Sequence, residues 1–314
     1  MIFKDKLKEK GLIISPEIDK LLDIAWSKQA HIGDLLLFHI NGFYQEDTLI
    51  WNENNPEKKF NPHVIGPGSE GHSEQAHYSF IHKYRTTNIS KPTYPEYLKL
   101  HEWTQERSKE IDELVDIEET SIQLEMLIYL KFWEADMIIK KLYQFTRALN
   151  GEFYDWYFKV SESNRDKTST GTRQDILRKS VRDKIKPHSE KLYQIIKDTY
   201  KTQIRNSIAH SNYSFLGRHI HPNNDIKDDP HASIRALSFD EWIDMFHNTF
   251  VLHNEYIRMN NLINDHYAEL ASKHDNTMEI LVTEKDGKQY PLYVEYRPEW
   301  KDWKFNYSYK KASL

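Results

Sequence analysis

The residues best suited to chemistry crowd into one stretch, Gln203-Ile204-Arg205-Asn206-Ser207-Ile208-Ala209-His210-Ser211-Asn212-Tyr213. It brings together a guanidinium, an amide, an imidazole and a phenol. A histidine with an unperturbed pKa of about 6.5 exchanges protons near neutrality. An arginine offers a planar fork suited to anionic oxygens. Upstream, Leu192, Ile195, Ile196, Tyr200, Ile204 and Ile208 recur at three-to-four spacing, so the stretch is expected to ride on an amphipathic helix facing a core. Five positions separate Arg205 from His210, about 140° around an ideal helix. One helix therefore does not aim both at one point. They would converge beside a second copy, or across a frayed or overwound helix end.

The pattern Arg-Asn-x-x-x-His followed by a tyrosine, here Arg205, Asn206, His210 and Tyr213, resembles the HEPN superfamily (higher eukaryotes and prokaryotes nucleotide-binding domains). The resemblance covers roughly residues 118 to 272. It implies a compact helical bundle, usually dimeric, in which the motifs of two protomers meet and cut RNA without a metal or cofactor. In that chemistry a ribose 2′-hydroxyl attacks the adjacent phosphorus. His210 would serve as general base or acid and Arg205 would neutralise charge on the phosphoryl oxygens. Asn206 would orient the phosphate or the imidazole, and Tyr213 would donate a hydrogen bond. Implied partners are RNA, a second copy of the chain and an antitoxin or other regulator. Members regulated by an antitoxin carry the tyrosine two after the histidine, whereas Tyr213 stands three after. Other members only bind nucleotides, so a catalytically silent binding module is the alternative reading. A third possibility makes Arg205 and His210 polar glue at a helix interface.

Composition sets the outer bounds. The 314 residues can bury a sizeable core. Mean hydropathy is low, −0.77, but aromatics make up 13%, so the apolar surface arrives as rings and the chain is expected to fold. With no cysteine there are no disulfides, thiolate metal sites or cysteine nucleophiles. No apolar run approaches the ~18 residues of a membrane span, so a cytoplasmic protein is expected. A formal charge of −5 gives no global attraction for nucleic acid, and any RNA contact must come from a local basic patch.

The positioning elements follow in order. Ser15-Pro16-Glu17 reads as a helix start, with Ile18, Leu21, Leu22, Ala25, Ile32, Leu35 and Leu36 buried as far as Phe38. Residues 52 to 95 read as loops with at most short strands. There His63, His72, His77 and His82 lack helical ligand spacing, and Gly66-Pro67-Gly68-Ser69-Glu70-Gly71 lacks a phosphate-loop lysine. A polar helix over residues 96 to 118 leads to a continuous apolar helix over 122 to 149. Glu134 in that apolar helix either points out at its edge or meets a cation such as Arg205.

After a polar linker over 161 to 171, the helix over 172 to 186 is basic. Together with Arg165 and Lys167, its Arg173, Arg178, Lys179, Arg182, Lys184 and Lys186 face only Asp166, Asp175 and Asp183. This face is a candidate for RNA phosphates or a plain solvated surface. Residues 215 to 237 read as a polar loop or lid, in which His219, His221 and His231 beside Asp225, Asp228 and Asp229 could hold a cation. Ser238 and Glu241 form a capping box opening a last long helix through Trp242, Met245, Phe246, Phe250, Leu252, Tyr256 and Leu262. The tail alternates at Ile280 and Val282, at Tyr290, Leu292, Val294 and Tyr296, and at Trp303, Phe305, Tyr307 and Tyr309. Asp286-Gly287 is a type I′ hairpin signal. A three-stranded antiparallel meander is expected, whose aromatic face beside Lys301, Lys304 and Lys310 either packs on the bundle or stacks bases. The expected fold is mainly α: an N-terminal helical and loop region (1–117), a HEPN-like four-helix bundle (118–272) and a C-terminal β-meander (273–314).

Overall fold

The computed structural model describes residues 1–46, 61–160, 172–227, 229 and 232–308. In chain order the elements are α1 (Lys4–Lys28), α2 (Asp34–Ile40), β1 (Phe43–Tyr44), β2 (His63–Val64), α3 (Gly68–Thr87), α4 (Tyr94–Lys99), α5 (Ser108–Trp133) and α6 (Asp136–Leu149). There follow α7 (Thr172–Asp175), a π-helical turn (Ile176–Arg182), α8 (Asp183–Ile185), α9 (Glu190–Thr199), α10 (Thr202–Ala209), β3 (Tyr213–Phe215), β4 (His219–Pro222), β5 (Leu237–Ser238), α11 (Phe239–Ser272), β6 (Thr277–Thr283), β7 (Gln289–Arg297) and β8 (Asp302–Phe305). The chain is thus mainly helical, with an antiparallel C-terminal sheet in the order β6-β7-β8. No helix among the described residues is long and apolar enough to cross a membrane.

Two compact units emerge, each discontinuous in sequence. The first is Met1–Ile18, Glu74–Ala135 and Lys186–Glu255; the second is Asp19–Ser73, Asp136–Ile185 and Tyr256–Leu314. This is a different division from the three contiguous spans read from the sequence.

Several expected elements differ. Ser15-Pro16 does not start a helix: α1 runs through Pro16, and the Ser15 hydroxyl donates to Glu255 Oε1 at 2.9 Å. Proline removes one backbone bond, and the carbonyl that loses its donor belongs to Leu12, which is 69% exposed and open to water. Burial of Ile14 before the proline and of Leu21, Leu22 and Ala25 after it holds the helix on both sides of the break. The chain also breaks before α2, leaving Ile32 exposed. The 52–95 region is not loop throughout. Its described part carries β2, the twenty-residue α3 and α4, and Gly68 and Gly71 lie in the first turn of α3.

The polar helix expected over 96 to 118 is split by a turn in which Arg107 Nη2 donates to the Leu100 carbonyl at 2.8 Å. The long apolar helix divides at Glu134 and Ala135 into α5 and α6, where the division between the units also falls. The 215–237 segment carries a β-hairpin, Tyr213 pairing with Pro222 and Phe215 with Ile220, and Leu237 extends it to three strands. The 161–171 linker, Asp228, His231, Tyr309 and Lys310 lie outside the described residues.

In the first unit the core gathers Phe3, Tyr94, Tyr97 and Ile243 with Tyr129, Trp242 and Phe246, all three fully buried. The capping box that opens α11 is formed in full. Ser238 N–H donates to Glu241 Oε2 at 2.8 Å, and Glu241 N–H donates to Ser238 Oγ at 3.2 Å. In the second unit the meander buries Ile280, Val282 and Val294. Trp156 Nε1 donates to the Leu281 carbonyl at 3.2 Å and Trp303 Nε1 to Asn264 Oδ1 at 3.0 Å. The aromatic face is therefore partly a packing face. Asp286-Gly287 does not make a type I′ turn, since only Gly287 has positive φ, +84°. Gly287 N–H reaches the Glu284 carbonyl and Glu284 N–H the Lys288 carbonyl, a three-residue loop with glycine at the left-handed position.

Candidate functional site

The motif rides on α10, only eight residues long, not on a helix continuous with α9. Leu192, Ile196, Tyr200, Ile204 and Ile208 are buried as the spacing requires, while Ile195 is half-buried at the edge, yet Tyr200 and Lys201 are extended. A buried phenol satisfies the broken ladder. Tyr129 on α5, fully buried, donates to the Thr199 carbonyl at 3.1 Å and accepts from Lys201 N–H at 3.2 Å. Burial raises the Tyr129 phenol far above its ordinary range, so it stays a neutral staple.

From this anchored start α10 turns Arg205 inward. Arg205 Nε lies 2.7 Å from Glu134 Oε1, with side chains 12% and 28% exposed. Neither atom makes an aligned hydrogen bond, so the contact is an ion pair. Glu134 thus meets the cation named as one alternative, because the end of α5 at Trp133 carries the carboxylate past the apolar stripe. Tyr200 completes the surroundings, its ring 5.2 Å from that of Trp133. Burial raises the Tyr200 phenol and Arg205 opposes the shift.

His210 follows a different course. It is the C-cap of α10, exposed, with its backbone N–H on the Asn206 carbonyl at 3.1 Å. Within one chain the motif therefore splits into an inward guanidinium held by Glu134 and an outward imidazole. The turn beyond is a Schellman motif: Asn212 N–H donates to the Ser207 carbonyl at 2.8 Å and Ser211 N–H to the Ile208 carbonyl at 3.1 Å. Ser211 occupies the left-handed position with φ +51°. A Cβ there costs up to about 1 kcal/mol, so Ser211→Gly should raise stability in urea by a few tenths to about 1 kcal/mol. A loss of stability would show that the serine side chain supports the turn.

Asn206 sits half-buried on α10, and Tyr213 opens β3, its ring edge-on to Phe215 at 5.7 Å. The β3–β4 hairpin is tied down by a residue that the sequence reading missed. Arg218 donates from Nε and Nη2 to Glu118 at 2.9 and 3.0 Å and from Nη2 to Asp240 at 3.0 Å; Tyr94 also donates to Asp240, at 2.5 Å. This bidentate lock fixes the chain just past the motif. Its only local trace was an arginine after Gly217 in a turn. His219 and His221 stand on β4 with ring centroids 6.3 Å apart.

Arg173, Arg178, Lys179 and Arg182 belong to the second unit, on α7 and the π-helical turn, while the motif belongs to the first. Arg173 Nε pairs with Asp136 at 2.7 Å, Lys179 with Asp175 at 3.2 Å and Arg182 with Asp183 at 2.7 Å. These aspartates compete with any phosphate for three of the four cations. His63 is buried on β2, its Nδ1 2.9 Å from Asn61 Oδ1, while His72, His77 and His82 lie on α3. Among the described residues no three of His, Asp and Glu gather as metal ligands. No family model matches this chain, and neither does any curated protein or solved structure.

Proposed function

We propose that the chain is a metal-independent endoribonuclease of HEPN type, acting as a homodimer through a HEPN-like four-helix bundle. The observation that carries this reading is the split motif: an arginine turned in and braced by Glu134, and a histidine exposed at the helix C-cap. A second copy facing this helix end would supply the complementary group, the economical answer to two side chains that diverge on one helix. Support for the bundle comes from α5, α9, α10 and the first part of α11, all of the first unit. Trp133 donates to Thr249 Oγ1 at 3.1 Å and Tyr129 bridges α5 to the α9–α10 junction.

In this reading His210 moves the proton between the 2′-hydroxyl and the leaving oxygen. Arg205 neutralises the phosphoryl oxygens, with Asn206 and Tyr213 orienting them. Purified protein should cleave RNA but not DNA in EDTA, leave 2′,3′-cyclic phosphate ends, and scatter light as a dimer at micromolar concentration. Cleavage that depends on added Mg²⁺ or Mn²⁺ and survives His210→Ala would falsify the mechanism. The ion pair itself favours a second reading, a silent nucleotide- or partner-binding module, because Glu134 already holds the guanidinium. Tight nucleotide binding without cleavage would select it.

A further inference from the structure

In the second unit three tyrosines gather around one histidine: Tyr44 at the end of β1, Tyr157 beyond α6 and Tyr290 near the start of β7. Their ring centroids lie 5.3, 6.1 and 6.2 Å from that of the buried His63, and Tyr44 lies 4.8 Å from Tyr157. Glu284 fastens two of the rings. Tyr157 donates to its Oε2 at 2.6 Å and Tyr290 to its Oε1 at 3.1 Å. Burial, and then this carboxylate, raise both phenols, so they stay protonated donors. A phenol that donates to a carboxylate has a more electron-rich ring, and such a ring attracts a cation more strongly. One cation is already in place. The Lys285 ammonium stands over Tyr157, 5.1 Å from the centroid, and over Tyr44 at 6.0 Å. The site opens on solvent: the three tyrosines are half-buried, and the loop residues 285 to 289 that carry the ammonium are all exposed.

We propose that this aromatic cage binds a methylated ammonium group, of the trimethylammonium kind, which displaces Lys285 as the resident cation. Among the described residues Lys285 makes no ion pair or hydrogen bond, so the ring faces alone hold its ammonium. A primary ammonium is poorly served there. Its three N–H groups need acceptors, whereas the hydroxyls of Tyr157 and Tyr290 are engaged with Glu284 and with His63, 3.4 and 3.2 Å away. Methyl groups remove those N–H donors and spread the charge over a surface that packs directly on the rings. Lys285 can leave without dismantling the cage. Glu284 still holds Tyr157, and Tyr44 N–H donates to the Trp156 carbonyl at 2.9 Å. This site belongs to the other unit from the motif and does not rest on the ribonuclease reading.

The test titrates the full chain with choline, followed through its trimethyl protons by saturation-transfer NMR, beside 3,3-dimethylbutan-1-ol, its uncharged isostere. Choline should bind with a Kd on the order of a millimolar, at least about tenfold more tightly than the isostere. Lys285→Ala removes the competing cation and should tighten choline severalfold. Tyr157→Leu takes away a ring and should weaken choline about tenfold; Tyr44→Leu repeats the readout at a second ring, with far-ultraviolet circular dichroism confirming that each variant is folded. A peptide carrying one trimethyllysine names the source of the group. Tighter binding of the peptide points to a modified protein and tighter binding of choline to a free or lipid-borne headgroup, and either supports the cage. No choline binding to the parent chain, equal binding of the uncharged isostere, weaker binding to Lys285→Ala, or binding that survives the loss of either ring overturns the proposal.

Discussion

His210→Ala is expected to lower RNA cleavage by about 10²–10⁴-fold, the usual worth of a general acid or base, while leaving the melting temperature unchanged. The side chain is exposed at a helix C-cap, and truncations at such sites stay within ~0.5 kcal/mol. Arg205→Ala should behave differently. It also removes cleavage, but it strips the Glu134 carboxylate of its counter-ion beside Tyr200 and Trp133. Removing one partner of a fully buried pair costs ~3–5 kcal/mol; Glu134 keeps access to water, so a loss of about 1–3 kcal/mol is expected. Lysine at 205 would restore part of that stability but not the planar fork, and cleavage should stay low. Melting curves and cleavage of one labelled RNA, run on the same preparations, separate these effects. Should His210→Ala melt several degrees lower and still cut, the histidine is structural and the proposed chemistry fails.

Much of the scaffold around this motif was legible because its signals are local. Ser238 and Glu241 announce the start of α11 within four residues, and strict alternation marks β6 and β7. The buried stripe from Leu192 to Ile208 follows directly from spacing. The break inside that stripe was not legible, because periodicity continues unchanged through Tyr200 and Lys201. What permits the break is a hydroxyl on another helix, that of Tyr129. The helix α3 was hidden for the opposite reason: Gly66, Pro67, Gly68 and Gly71 spell a turn, yet the last two lie inside the first helical turn. Glu134 was ambiguous because a carboxylate on an apolar face has two outcomes. Only the break after α5, together with the inward turn of Arg205, selects the ion pair.

Trp242 carries the largest expected effect on folding, and it reaches the motif through Tyr129. The side chain is fully buried, with its ring centroid 5.7 Å from that of Tyr129, and its Nε1 donates to Glu125 Oε2 at 2.7 Å. Glu125 is itself fully buried and also accepts from Tyr84 at 3.1 Å and Ser121 at 3.0 Å. Trp242→Ala therefore opens a cavity worth ~3–5 kcal/mol and strips one oxygen of a sealed carboxylate of its donor, a further ~1–3 kcal/mol when not relaxed away. Against a typical total of ~5–15 kcal/mol, most of the stability of the first unit should be lost. Trp242→Phe is the milder change. It keeps a ring against Tyr129 but removes the N–H together with part of the indole volume, so it should cost about 1–3 kcal/mol and preserve the α9–α10 junction and RNA cleavage. Urea unfolding followed by far-ultraviolet circular dichroism gives both values. A loss below about 1 kcal/mol for Trp242→Ala would mean that this tryptophan is not the pillar of the unit. A cleavage defect in Trp242→Phe without a matching stability loss would instead tie the Glu125 network to the chemistry.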